Sequence, residues 1–435
     1  MSRRAWLALA LLLSINLFNY IDRYVLAAVE EPVQREVIRD DVNGMAKFGW
    51  LATSFLVVYM VIAPIFGWLG DRFSRWWLIG IGVIIWSLAS GASGMAELFI
   101  VLLITRCFVG FGEGAYGPVA PTVISDMFPV ASRGKVMALF YLAIPVGSSL
   151  GFALGTLMMS WVDWRWAFYA VVPPGIALGV ICFWMREPPR GQADATIVHR
   201  AARWADYRTI LRTPSYVLDT VGMTAMTFAI GGLAWWMPAY LTARQVDDLF
   251  GMAPGIVFGL ITALAGLTAT LSGGLAGDWL RKYHGGSYFL VSGAAMLIAF
   301  PMILLVVKSP FPVAWIFLFL SVFCIFFNTG PTNTILANVT HPAVRGSAFA
   351  LNIFLIHAFG DAISPFVIGA VADTIANPMR GEGVADHVAK AAGLDGGFIL
   401  VSVLVLVGGA AWLYGARYLQ RDTELAPTRL DETTA

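Results

Sequence analysis

Long apolar runs alternate with short polar breaks along all 435 residues. A helix needs roughly 20 apolar residues to cross ~30 Å of hydrocarbon, and runs of that length lie near residues 5–28, 46–70, 76–95, 98–127, 134–159 and 164–186. A second set lies near 215–241, 253–279, 285–307, 312–338, 344–373 and 394–420. The pattern predicts an all-α membrane protein of twelve transmembrane helices in two sixes. One break differs from the others: Glu187 to Pro214 is polar and carries Arg190, Arg200, Arg203, Arg208 and Arg212, with Pro188 and Pro189 ending the sixth run. The expected organisation is an N-terminal bundle over 1–186, a linker over 187–214, a C-terminal bundle over 215–421 and a tail over 422–435. The opening MSRRAWLALALLLSINLF is basic and then apolar, as in a signal peptide. It continues through Asn19-Tyr20-Ile21-Asp22-Arg23 to Ala28 without a small-residue cleavage site, so it reads as a retained first span.

Orientation follows from Lys and Arg. With both termini on one side, 18 of these residues fall on that side and 8 on the other, with Arg23 and Arg106 inside spans. The excess marks the cytoplasmic face, placing both termini and the linker there. Composition agrees with a nonaqueous solvent: 58% of residues are hydrophobic, 13% are charged, and the mean hydropathy is +0.75. The net charge of +1 gives no basic field for nucleic acid. Cys107, Cys182 and Cys324 each sit in an apolar run without paired or metal-type spacing and read as packing residues.

The halves repeat. Gly67 to Arg75 reads G-x-x-G-D-R-x-x-R, and Gly274 to Lys282 reads G-x-x-G-D-x-x-R-K, with Asp278 and Arg281 answering Asp71 and Arg75. Arg133-Gly134 recurs as Arg345-Gly346. Span four carries R-x-x-x-G-x-G-x-G at Arg106, Gly110, Gly112 and Gly114, and span five carries Gly147, Gly151 and Gly155 at four-residue spacing after Pro145. Together these motifs resemble the major facilitator superfamily over nearly the whole chain. Within it, Asn19 to Arg23, Gly110-Phe111-Gly112-Glu113-Gly114 and Gly360-Asp361-Ala362-Ile363-Ser364-Pro365 resemble the Spinster-like branch. That resemblance implies a major facilitator fold and a monomeric multi-pass transporter, expected in the inner cell membrane of a bacterium. Animal members of the branch are associated with export of sphingosine phosphate and transport of lysophospholipids.

Charges inside spans are costly and stand as functional hypotheses by default. Arg106 and Glu113 are seven residues apart, hence on one helical face and about 10 Å apart along the axis. By axial position Asp22 comes level with Arg106, which predicts a contact between them, with Glu113 nearer the midplane. A fixed ion pair joining spans one and four is one reading. The other is proton coupling: burial favours a neutral carboxyl, a nearby arginine favours the ionised one, and a cavity that opens and closes moves the proton. Glu113 is the first candidate carrier and Asp22 the second, with Arg106 freed to meet an anion. Arg23 projects about 100° from Asp22 and either pairs elsewhere or snorkels to the interface. His357 and Asp361, four apart on span eleven, form a further candidate proton site or a helix contact.

The glycines of spans four and five read as close-approach surfaces that let helices slide. Mid-membrane Gly-x-Gly-x-Gly, lacking a preceding strand, implies no nucleotide. Asp71, Arg72, Arg75, Asp278 and Arg281 read as a latch at the cytoplasmic helix ends, or as topology-setting surface charge. Trp235 to Pro238 in span seven and Phe326 to Asn333 in span ten are expected to interrupt their helices. The resemblance places spans one, four, seven and ten around the cavity, so Arg106 and Arg23 are expected on a charged wall facing Trp235, Phe327, Asn328 and Asn333. That asymmetry suits an amphipathic anion. A small organic anion, sugar acid or drug-like molecule is the alternative cargo, with Arg106 as clamp. A lipid enzyme would need a nucleophile with base or a metal cluster, and the five histidines show no ligand spacing. A sensor would bind without flux, and no ATP-binding loop is present. The expected energy source is a proton gradient, with no cofactor.

Overall fold

In the structure, a computed structural model, the described residues are 3–39, 41–70, 72–128, 136, 139–189, 204–341 and 344–429. Asp71, Arg133, Gly134 and half of the linker expected over 187–214, residues 190–203, lie outside them. Twelve helices among the described residues are long and apolar enough to span a membrane. They are α1 Arg3–Ala28, α2 Gly44–Gly70, α3 Arg75–Gly94, α4 Phe99–Ile124, α5 Leu139–Trp161 and α6 Arg165–Cys182, then α7 Pro214–Ala243, α8 Pro254–Arg281, α9 Ser287–Lys308, α10 Ala314–Val339, α11 Ser347–Gly381 and α12 Asp386–Gly415.

Small residues set the helix spacing around the charged segment. A Cβ on Gly147 would lie 2.7 Å from Tyr20 Cβ, one on Gly151 2.6 Å from the Ile21 carbonyl, and one on Gly155 2.5 Å from Ala28 Cβ. One face of α5 therefore lies directly on α1 beside Asp22. On α4, Gly110 meets the Phe55 carbonyl and Gly114 the Tyr59 carbonyl of α2, while Gly112 meets the Gly82 carbonyl of α3. The alternation lets α4 wedge between two helices, with Trp76, Trp86 and Tyr116 filling the core around it.

Two compact units divide the chain, and they cut across the two halves. The first comprises Met1–Ile197, Ala234–Ala263 and Pro365–Gly393. Within it, at the end to which α1 runs, Lys390 donates to buried Glu30 at 2.6 Å. Asp373 caps α2 by accepting from the N–H groups of Met45 (3.3 Å) and Ala46 (2.8 Å), and Asn377 donates to the Val42 carbonyl at 2.7 Å. The second comprises Val198–Leu233, Leu264–Ser364 and Leu394–Ala435. There Tyr216 donates to the Ala348 carbonyl and Asn352 to Thr220, joining α7 to α11. Asp422, on a short helix Leu419–Leu425, accepts from the Ser215 N–H at the start of α7 and pairs with Arg429 at 3.0 Å.

Two local expectations change. α11 continues to Gly381 and α12 already begins at Asp386, against expected limits of 373 and 394, so Lys390 lies inside a helix. Asp386 in the first turn and the alanines that follow favour that early start. α10 does break as expected, stopping at Phe326 and resuming at Thr329, but α7 runs through Pro238 to Ala243. Packed transmembrane helices tolerate such a proline, which lacks only the N–H that would reach the Ala234 carbonyl one turn back.

Candidate functional site

Four charges from α1 and α4 meet in the first unit, with exposures of 1% for Asp22, 3% for Arg106 and 0% for Glu113. The side chain of Arg23 is 21% exposed. Their pairing differs from the sequence expectation. Arg23 Nε donates to Glu113 at 2.6 Å, making the ion pair of the site. Its guanidinium also lies 4.9 Å from the Tyr20 ring centroid, 5.0 Å from that of Phe55 and 5.3 Å from that of Tyr59, an arrangement in which aromatic faces stabilise a cation. The second oxygen of Glu113 has no hydrogen-bond partner among the described residues.

Asp22 and Arg106 do not touch. Asp22 accepts a hydrogen bond from Ser90, and Arg106 donates from Nη2 to Ser93 at 2.7 Å. These two serines are three apart on α3, so they share a face, and Ser93 is further tied to Thr105 at 2.8 Å. Axial rise placed Asp22 and Arg106 at the same level, but each is held by a serine of α3 and not by the other. One oxygen of Asp22 and Arg106 Nε have no partner among the described residues. The guanidinium of Arg106 lies 5.4 Å from the ring of Phe168.

The remaining candidates are more dispersed. On α11, His357 Nδ1 lies 2.9 and 3.0 Å from the two oxygens of Asp361. The pair sits in a π-helical turn, His357–Asp361, with non-helical backbone at Gly360. A Cβ on Gly231 of α7 would lie 2.6 Å from Asp361 Cβ, so only glycine admits this bulge. Trp235 is buried against Phe48, with ring centroids 5.1 Å apart, and its indole N–H has no partner among the described residues. At the α10 break, Asn328 is fully buried and donates to the Cys324 and Ile325 carbonyls, leaving its oxygen without a partner among the described residues. Phe327 packs on Phe323, and its carbonyl abuts Gly273 of α8. Asn333 is exposed and donates to the carbonyl of Thr329 on its own helix.

Of the expected latch, Arg75 is buried and pairs with Asp126 and Glu187, both at 2.5 Å. Arg72 folds back on its own helix, donating to the Trp68 carbonyl and stacking 3.9 Å from the Trp68 ring. Asp278 accepts from Tyr288 at 2.8 Å and Arg281 is exposed. Gly147, Gly151 and Gly155 form the α1 contact described above.

Ser90, Ser93 and the aromatic residues around Arg23 were missed from the sequence. The serines carried a signal: Ser87, Ser90 and Ser93 recur every third residue, a polar stripe on an otherwise apolar helix.

The profile of the Major Facilitator Superfamily matches residues 12–365. The chain belongs to that superfamily. Protein spinster homolog 1 of Bos taurus is 33% identical over 441 residues, covering 97% of this chain and 82% of the relative. The Homo sapiens protein of that name is 33% identical over 445 residues, covering 97% and 83%. This major facilitator is therefore a transporter of the Spinster type and not an enzyme. Its fold matches a crystal structure of a bacterial homologue of the human lysosomal transporter Spinster, inward-facing and unoccupied, with a TM-score of 0.81 at 20% identity over 97% of this chain and 99% of the other. A D-xylose-proton symporter matches with a TM-score of 0.69 at 16% identity, over 95% and 97%.

Proposed function

We propose that this chain is a proton-coupled secondary transporter working by alternating access, with an amphipathic anionic lipid, a lysophospholipid or sphingolipid-like molecule, as cargo. The ion pair of Arg23 with fully buried Glu113 carries the reading. A proton arriving on Glu113 removes the charge that holds Arg23, and the guanidinium, already seated among three aromatic rings, becomes available to an anionic headgroup. Arg106, with a free Nε, is a second cation for that headgroup, and Asp22 is the second acid. His357 with Asp361 is a further proton candidate. The ion pairs of Arg75 with Asp126 and Glu187 hold one end of the first unit and serve as a gate latch. The energy source is the proton gradient, with no cofactor. The chain works as a monomer in the inner membrane, with both termini cytoplasmic.

A small organic acid is the second reading, supported by the free Nε of Arg106, which leaves that guanidinium able to clamp a carboxylate. Flux into proteoliposomes separates the two. Lysophospholipid and sphingosine phosphate are compared with sugar acids, with and without an imposed pH gradient, for the native chain and Glu113→Gln. Gradient-driven lipid flux whose gradient dependence is lost in the variant is the expected result. Flux of a sugar acid alone overturns the lipid cargo, and a variant that behaves as the native chain moves the carrier role to Asp22.

A further inference from the structure

The second unit contains an acid that none of this uses. Asp219, near the start of α7, is 0% exposed, and neither of its carboxyl oxygens has a hydrogen-bond partner among the described residues. From α12 the neutral Trp412 indole faces it, and its N–H donates to the backbone carbonyl of Asp219 at 3.2 Å. On α7 itself the neighbouring titratable group is Tyr216, whose hydroxyl is committed to the Ala348 carbonyl of α11 at 2.8 Å. From α11, Asn352 faces the same stretch and donates to Thr220 at 2.9 Å, and residues 348–356 include no charge. α9 has no charged residue before Lys308, and α12 has none between Asp395 and Arg417. At the start of α7, Arg208 and Arg212 are exposed and Arg429 is paired with Asp422. No described cation therefore compensates a negative charge at Asp219, and the donor that faces it, the Trp412 indole, is neutral.

An ionised carboxylate held dry and unpaired is among the costliest arrangements a fold can contain, whereas the neutral acid leaves only ordinary polar groups unsatisfied. We infer that Asp219 is a second proton-binding site: it holds a proton while α7 and α12 are packed as here, and releases it when they part and admit water. The seam allows such a movement because it is built from small residues. A Cβ on Gly222 would lie 2.2 Å from Trp412 Nε1, and one on Gly408 2.7 Å from Ala225 Cβ, the kind of contact along which helices slide. The protonated state stands on geometry alone, and its release rests on the transport reading.

Infrared spectroscopy of the full chain in liposomes reads the proton directly, without cargo. The native chain at neutral pH is expected to show a carboxylic-acid C=O stretch that Asp219→Asn removes, that Asp219→Glu shifts in frequency, and that Glu113→Gln leaves in place. A native spectrum identical to that of Asp219→Asn, with Asp219→Glu likewise unchanged, overturns the site. Release is then tested with a lysophospholipid as probe, by comparing protons moved per lipid. A lower ratio in Asp219→Asn than in the native chain supports release, and an equal ratio means that the proton stays in place and overturns that step. Absence of flux for every cargo and variant would sink the transport reading while leaving the infrared result standing.

Discussion

The Arg23–Glu113 pair makes a prediction that its geometry allows to be worked through. Breaking a buried ion pair from one side leaves the other charge uncompensated, at about 3–5 kcal/mol, while replacing both partners with apolar residues of similar volume is often close to neutral. In Glu113→Leu the guanidinium of Arg23 remains, but it is 21% exposed and faces three rings, each worth about 0.5–1 kcal/mol at sites not fully desolvated. The expected loss is therefore at the low end, about 3 kcal/mol. In Arg23→Met a carboxylate with 0% exposure is stranded, and the loss is expected at the upper end of that range unless Glu113 takes up a proton, which limits it. The double variant is expected within about 1 kcal/mol of the native chain, giving a coupling of about 3 kcal/mol or more, the upper end for directly contacting residues. Equilibrium unfolding in detergent, read by tryptophan fluorescence, measures the cycle. Single-variant losses that add within about 0.5 kcal/mol would refute the reasoning, because the two side chains would then be energetically independent. Transport separates stability from function: the double variant regains the fold, but without Arg23 its flux is expected to fall and what remains not to depend on the pH gradient.

Three further outcomes follow from other contacts. Lys390→Met leaves Glu30 buried without its 2.6 Å partner and is expected to cost about 3 kcal/mol, visible as a lower melting temperature that Glu30→Gln in the same chain partly restores. Gly151→Leu drives a side chain into the Ile21 carbonyl, 2.6 Å from the position of its first carbon. Overpacking of this kind costs about 1–3 kcal/mol or more, and the α1 displacement should abolish gradient-driven flux in proteoliposomes even where folded protein is recovered. Arg429→Ala removes donors to Thr213, to the Val339 carbonyl and to Asp422. A stability loss of about 1–3 kcal/mol is expected, with faster hydrogen exchange at the start of α7, since hydrogen bonds to charged groups are worth that much. Unchanged exchange there would mean that the tail does not hold this helix end.

The helices were legible because the bilayer imposes one length on every span, so apolar runs alone found all twelve, and ten of them within about five residues at each end. Boundaries failed where a helix outlasts its apolar run: Lys390 sits in α12 because the helix starts while the sequence is still polar, and the charge is tolerated there only because Glu30, 360 residues away, meets it. Nothing local signals such a partner. The same holds for Asp219, whose neighbour Trp412 lies 193 residues away. The small-residue faces were legible in full, since Gly147, Gly151 and Gly155 at helical spacing leave little other use for that stripe.

The site shows where one-dimensional geometry stops. Rise per residue set Asp22 level with Arg106 and Glu113 nearer the midplane and left Arg23 to pair elsewhere or snorkel, but pairing depends on azimuth and on which neighbouring helices offer partners. α3 serves both halves of the expected pair, Ser90 donating to Asp22 and Ser93 accepting from Arg106. The consequence is a division of labour. Asp22 and Arg106 are each held by a neutral hydroxyl, and a hydroxyl partner persists whether or not the acid is protonated, because it can reorient to accept as well as donate. Glu113 is held by a charge, and that bond weakens the moment the acid is neutralised. Of the two acids, a proton on Glu113 therefore changes the arrangement of the site more than a proton on Asp22. Asp22→Asn should then shift transport rate while keeping gradient dependence, and loss of that dependence in Asp22→Asn alone, with Glu113→Gln unaffected, would reverse the assignment.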